Sequence, residues 1–279
     1  MKKSTVIICF IAVAQFGFAQ TDSTLVVPPK ELPSIHLGIG ATFFNGDYGK
    51  GNGIQVSTRP ALTFGIEQRF GNFFSGGIDA LYGKFAKSER SVSSNRNFES
   101  TALQFGIKGV FHFDNELMLK RDAALSPFIT AGVGFLIFDA YSDLKNASDS
   151  TYFYWADGSI RDQPETPANT LTANTIQRDY TYETQLKDSA TNYARNSVVV
   201  PIGFGLRFST GKKFGGSIST CYNLCFTDYI DNVKAGGNDS YIFTSASLYY
   251  RFGKTKTVDR SMYKDVDFNA IYKEDYDQD

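Results

Sequence analysis

After its first nineteen residues the chain has no long unbroken apolar run. No later segment therefore supplies the ~20 consecutive apolar residues that a membrane-spanning helix needs. Cysteine is scarce. Of the three, Cys9 falls in the opening apolar stretch, while Cys221 and Cys225 lie four apart in one expected strand, with Cα atoms about 13 Å apart. A disulfide needs less than ~7 Å, so these two cannot pair with each other. They read as small inward-facing residues. Histidine is rarer still, with only His36 and His112, and two imidazoles make a poor metal site without further ligands. Net charge is nearly absent: 28 basic residues stand against 29 acidic ones. That balance argues against a nucleic-acid partner.

Residues 1–19 read as a secretory signal peptide. Lys2 and Lys3 make a basic start, Val6 to Phe18 is the apolar core, and Gly17-Phe18-Ala19 offers a small-x-small cleavage site. A spanning helix is the rival reading, but the run is too short for one. Cys9 lacks the preceding small residues of a lipoprotein site. Cleavage after Ala19 removes two lysines and leaves 26 basic against 29 acidic residues, a net of −3.

What the chain does have is alternation. Eight stretches pair apolar with polar or small residues at a period of two. In the cleanest, Thr101, Leu103, Phe105, Ile107, Gly109, Phe111 and Phe113 form one side, and Ser100, Ala102, Gln104, Gly106, Lys108, Val110 and His112 the other. Such a strand shows one face to oil and one to polar surroundings. After a signal peptide, the expected oil is lipid. The expected strands are Ile35–Phe44, Ala61–Phe70, Phe73–Phe85, Glu99–Phe113, Phe128–Phe138, Ser197–Phe208, Phe214–Thr227 and Tyr241–Phe252. Eight is an even number, and most of these strands reach the ~9–11 residues needed to cross. Aromatics at 15%, with 25 Phe, 16 Tyr and 25 Gly, suit lipid-facing bands, interfacial girdles and tight barrel packing.

The connections alternate in length. Gly71-Asn72 and Ser209–Lys213 are short, whereas 45–60, 86–98, 139–196 and 228–240 are long. Outer-membrane barrels place short turns in the periplasm and long loops outside. The fold expected is all-β: a closed eight-stranded antiparallel transmembrane β-barrel with one long extracellular loop. Its parts are the signal peptide 1–19, a periplasmic segment 20–34, the barrel 35–253 and an acidic periplasmic tail or linker 254–279. The link Asp114–Pro127 is longer than a turn and is expected to fold over the inner end. Pro60 and Pro201 each remove a ladder hydrogen bond, and a strand entry or bulge is expected to absorb the loss. Within 139–196, the alternation of Tyr180, Tyr182 and Thr184 predicts a short hairpin. A soluble lipocalin-like barrel is the structural rival. It would line its interior with apolar groups, whereas here the inward phase carries charge.

Those inward charges are Glu67, Arg69, Asp79, Lys108, Arg207 and Arg251. An eight-stranded barrel has an interior just wide enough for side chains, and unpaired buried charge is expensive. A salt-bridged plug with no open channel is the expected result, and a gate that swings open is the sharper alternative. Other chemistry is thin. Both histidines face inward near the periplasmic end and read as structural. No histidine lies near the outer rim, so a rim Ser-His-Asp set is not expected. Gly38/Gly40 and Gly132/Gly134 sit inside strands, without the following helix of a phosphate loop. No catalytic residue and no cofactor is expected.

Three loop stretches bear a further likeness: YFYWADGSIRD at 152–162, QRDYTYETQL at 177–186 and FTDYIDNVKAGGNDSYIF at 226–243. With the strand pattern, residues 35–253 resemble the barrel domain of OmpA-like proteins from gliding and type IX-secreting Gram-negative bacteria. The tail VDRSMYKDVDFNAIYKEDYDQD resembles that family's periplasmic connector. There the connector leads into acidic repeats similar to thrombospondin type 3 calcium repeats, and then to a peptidoglycan-binding domain. Asp275, Asp277 and Asp279 match the first three aspartates of one repeat, which implies calcium ligands. Read without the resemblance, they are a solvated acidic tail. The resemblance implies a non-enzymatic structural barrel, half of an envelope anchor, with peptidoglycan as partner only through a downstream domain. The alternatives are an accessory barrel of a type IX secretion or assembly machine, meeting protein partners through 139–196, and a narrow pore. The surrounding partner in every case is outer-membrane lipid.

Overall fold

The computed structural model describes residues 32–47, 57–90, 95–121, 123–187, 193–209 and 213–252. The signal peptide, most of the segment 20–34, the tail, and with it Asp275, Asp277 and Asp279, lie outside the described residues. Eight long strands build the fold: β1 Ser34–Asn45, β2 Thr58–Phe70, β3 Phe74–Arg90, β4 Asn95–His112, β5 Leu125–Ser142, β6 Asn196–Ser209, β7 Phe214–Cys225 and β8 Ser240–Arg251. Every strand pairs antiparallel with its sequence neighbours, and β8 returns to β1 with Ser34 opposite Arg251 and Asn45 opposite Ser240. The result is a closed up-and-down barrel that leaves no sheet edge to satisfy.

Period-two alternation places the large apolar residues outward, as the sequence predicts. Leu37, Ile39, Phe64, Ile78, Phe105, Ile107, Phe204 and Leu248 form part of a belt of exposed apolar side chains around the cylinder. Among the described residues no helix is long and apolar enough to cross a membrane; the crossing is made by strands. A closed barrel satisfies its own backbone, and an apolar outer belt buries itself in hydrocarbon. The chain is a transmembrane β-barrel of the outer-membrane type.

Several strand limits differ from expectation. β3, β4 and β5 run 17, 18 and 18 residues, well beyond the ~9–11 needed to cross. Their additions lie mostly toward the long-loop end. There the alternation of large apolar with polar residues stops while the hydrogen-bonded ladder continues: Lys87 faces Phe98 and Glu89 faces Arg96 across the β3–β4 pair. β7 stops at Cys225, two residues early. Pro60 lies near the entry of β2 opposite Ala41. At Pro201 the β5–β6 pairing lapses between Ala131–Ile202 and Gly134–Val199 with register unchanged. The lost bond is therefore absorbed by a gap in the ladder and not by a bulge. Gly71 turns β2 into β3 with φ of +70°, a left-handed conformation that disfavours any side chain.

The long loop departs from expectation in one place. Tyr180 has φ of +58°, which breaks the alternation of 180–184. Only Thr184–Gln185 extends, pairing with Tyr141 and Ser142 at the end of β5. The hairpin of this loop is instead Phe153–Tyr154 against Ile160–Arg161. Its turn is closed by Trp155 N–H to Ser159 O and Gly158 N–H to Trp155 O, both 3.0 Å.

Candidate functional site: the barrel interior

The inward phase divides the lumen into two zones. The half nearer the short turns is charged, and the half nearer the long loops is aromatic. In the charged half, β2 brings Glu67 against Arg207 of β6, with both Glu67 oxygens 3.1 Å from one guanidinium nitrogen. Both side chains are largely buried, at 7% and 18% exposure. Two residues along, Arg69 donates to Asp114 Oδ2 at 3.1 Å and to the backbone oxygens of Asp114 and Asn72. On β3, Asp79 accepts from Lys108 Nζ at 2.8–3.0 Å and lies 2.7 Å from His36 Nε2. Arg251 packs over the Tyr249 ring at 5.2 Å and lines the same lumen pocket, of about 130 Å³, as Glu67, Asp79, Lys108 and Arg207. The structure thus brings Glu67, Arg69, Asp79, Lys108 and Arg207 into ion pairs, and Arg251 lines the same lumen.

The inward-facing His112 joins this network as a structural residue, together with two members that sequence reasoning missed, Ser75 and Asp114. His112 meets Ser75 Oγ through Nε2, with Glu67 3.6 Å from the same nitrogen and Asp114 Oδ1 3.7 Å from Nδ1. Ser75, His112 and Asp114 therefore stand in the order of a nucleophile, base and orienting acid. Their surroundings are those of a buried polar network. Ser75 is 3% exposed, Glu67 shares its side of the imidazole, and Asp114 is engaged by Arg69. Burial pushes the Asp114 carboxyl up, and the Arg69 guanidinium overrides this, leaving it below the usual carboxylate range. The signal for Ser75 is the inward phase it shares with Gly77 and Asp79, but nothing in its residue type distinguishes it from a filler.

The aromatic half was also missed. Phe44, Phe85, Phe98, Phe138, Tyr241 and Phe243 cluster with Leu136 and Val199 inside the barrel. Phe44 meets Phe98 edge-on at 5.0 Å, and Phe85 lies 4.4 Å from Tyr241. All of these rings but Phe138 share the phase of an ionisable lumen residue on their own strand: Phe44 with His36, Phe85 with Asp79, Phe98 with Lys108, Tyr241 and Phe243 with Arg251. Extending that phase toward the long loops would have found them. Tyr241 donates its hydroxyl to Gln104, which also contacts Asn223, so a polar layer joins the two zones. Above the rings, Glu99 is held at 2.7 Å by both Arg59 and Lys84.

Cys221 and Cys225 are both free. Cys221 lines the lumen pocket and Cys225 belongs to the apolar cluster. Among the described residues no group of three or more His, Cys, Asp or Glu side chains is placed to hold a metal ion. The loops carry their own order. Arg178 pairs with the fully buried Asp143 at 2.7 Å, and Arg161 stacks over Trp155 at 3.9 Å. Between β7 and β8, Asp231 accepts the N–H groups of Val233 and Asp47, and Asp239 accepts that of Ile230. Both carboxylates are buried. Burial pushes Asp231 up to about 6. Burial, with repulsion from Asp231, pushes Asp239 up to about 8.

No family model and no curated protein matches the sequence. Among solved structures, the chain is similar to Neisserial surface protein A, with 11% identity, a TM-score of 0.44 and coverage of 79% of this chain and 97% of that one. It is similar to Ail of Yersinia pestis, solved with the heparin analogue sucrose octasulfate, at 12% identity and a TM-score of 0.40, covering 80% and 99%. A third is the N-terminal β-barrel domain of Pseudomonas aeruginosa OprF, at 9% identity and a TM-score of 0.36, covering 80% and 98%. These are likenesses of barrel outline, and neither a ligand nor an activity follows from them.

Proposed function

We propose that this chain is a non-enzymatic structural protein of the outer membrane, the barrel part of an envelope anchor. The observation that carries the reading is the interrupted lumen. Paired charges line a pocket of about 130 Å³ in one half and packed rings close the other, so the cylinder reads as a wall and not a conduit. Pairing and hydrogen bonding offset the desolvation of the charges, and the rings exclude water from the outer half. Bilayer conductance of the folded protein tests it: no steady current is expected, and a large steady current would replace the wall with a pore. The anchoring part draws on the resemblance of residues 254–279 to a periplasmic connector, with peptidoglycan reached through a downstream domain. The intact mass of the native protein from outer-membrane fractions tests that part. A mass well above that of residues 20–279 supports the anchor.

A mass equal to residues 20–279 favours the second reading, an accessory barrel of a type IX secretion or outer-membrane assembly machine. Order across the described residues 139–187 of the loop 139–196 supports it. Trp155 and Tyr152 are buried there, the Asp143–Arg178 pair ties the loop to the end of β5, and a surface ordered in advance loses less entropy on binding. Cross-linking from this loop in cells, followed by identification of captured envelope proteins, separates it from a bare wall.

A further inference from the structure

The link between β4 and β5 holds three large apolar side chains away from the barrel. Leu117 is 78% exposed, Met118 55% and Leu119 38%. They are held there by a built turn. Asn115 is buried, donates to His112 O, and accepts from the N–H groups of Leu117 and Met118 at 3.0 and 2.9 Å. Glu116 sits at φ of +69°, and its N–H bonds to Leu119 O, while Leu119 N–H returns to Phe113 O. Arg121 ties the turn to the neighbouring one through Asn72 at 2.7 Å.

What lies next to the turn identifies its occupant. Phe113 is in the lipid-facing phase of β4, and its ring joins a girdle with Phe111, Phe74 and Phe73, with centroids 5.4–6.3 Å apart along the chain of contacts. The apolar knob is therefore continuous with the lipid belt at the end of the barrel that carries the short turns. It is followed at once by the exposed Lys120 and then by Arg121, cations suited to phospholipid phosphates. Apolar side chains flanked by Lys and Arg are the composition of an interfacial anchor. We propose that Asp114–Arg121 is an interfacial foot: Leu117 and Met118 seat in the periplasmic leaflet, and Lys120 lies at its phosphates.

Tryptophan placed at the foot tests this in the full mature chain, folded into phosphatidylcholine–phosphatidylglycerol vesicles. In a Trp155→Phe background, Leu117→Trp is compared with Phe204→Trp, a reference on the lipid belt; Met118→Trp is the second probe should Leu117→Trp not fold. Acyl-chain-brominated lipid is expected to quench the foot tryptophan comparably to the reference, with blue-shifted emission and protection from aqueous iodide. Emission of a water-exposed indole, quenched by iodide and untouched by brominated lipid, overturns the proposal and leaves the knob to a periplasmic protein. A reference tryptophan that is itself unquenched means the barrel has not inserted, a failure of the membrane reading and not of the foot alone.

Discussion

Replacing Arg207 with methionine removes both hydrogen bonds to Glu67 while keeping much of the side-chain volume. The two groups are 7% and 18% exposed, too buried for solvent to screen the consequence. Breaking a buried pair from one side typically costs about 3–5 kcal/mol, because a charge is left behind. His112 and Lys108 also act on Glu67, so the lower end applies, about 3 kcal/mol, or roughly a hundredfold in the unfolding equilibrium. Glu67→Met strands Arg207 and should cost a similar amount. Replacing both with Met, as Glu67→Met with Arg207→Met, leaves no orphan charge and should fall well short of the sum of the single changes. Urea unfolding in phospholipid vesicles, read by the mobility of unheated samples on gels, gives the four corners of the cycle. A coupling below about 0.5 kcal/mol, with near-neutral single variants, would mean that water already solvates both groups. The sealed-lumen argument would then fail.

Three further outcomes follow. Phe98→Ala empties a fully buried site against Phe44 and should cost about 3–5 kcal/mol in the same unfolding assay. Gly71→Ala meets no neighbouring atom but must hold φ of +70°, so it should cost about 1–2 kcal/mol from backbone strain alone; a neutral result would mean the turn relaxes. Asp231 and Asp239 have raised folded-state pKa values, about 6 and about 8, with Asp47 and Asp228 as the other charges acting on them. The folded loop therefore binds protons that the open loop releases. Its stabilisation is full at acid pH, below the open-state carboxylate range, and is lost as pH rises through 6 and then 8. Exchange of the Ile230 and Val233 amides should speed up across that window, and Asp239→Asn should flatten the upper part. Exchange that slows with rising pH, after correction for its intrinsic rate, would reverse the sign.

Most of the cylinder was legible because a barrel wall states itself twice, once in alternation and once in loop length. Leu62, Phe64 and Ile66 could face only lipid, and Glu67 and Arg69 could face only inward. The pairing of charges was harder to read. Glu67 and Arg207 stand 140 residues apart, and only closure of the sheet makes them neighbours. Strand limits beyond the lipid belt were illegible for a physical reason: where no face must meet hydrocarbon, as at Lys87 and Glu89, the ladder persists without a period-two apolar signature. Ser75 and the Asn115 turn escaped notice because small polar residues acquire their roles from position, and position is a tertiary fact. The ring cluster escaped for the opposite reason. Aromatics were assigned in advance to lipid and girdle, although Phe85 and Phe98 carry the inward phase.

The two-zone interior bears on how such a barrel gets into a membrane at all. With short turns on the periplasmic side, as outer-membrane barrels generally place them, the long-loop end travels through hydrocarbon to reach the far surface. Charge is costly to carry through that medium. Here the leading half of the lumen holds rings, which hydrocarbon tolerates even before the cylinder closes. The carboxylates, guanidiniums and imidazoles of Glu67, Arg69, His112 and Arg207 sit in the trailing half, beside the water they start from. Among the lumen groups the paired charges thus travel the shortest distance, while the charges of the long loops, such as Asp143 and Arg178, still make the full crossing.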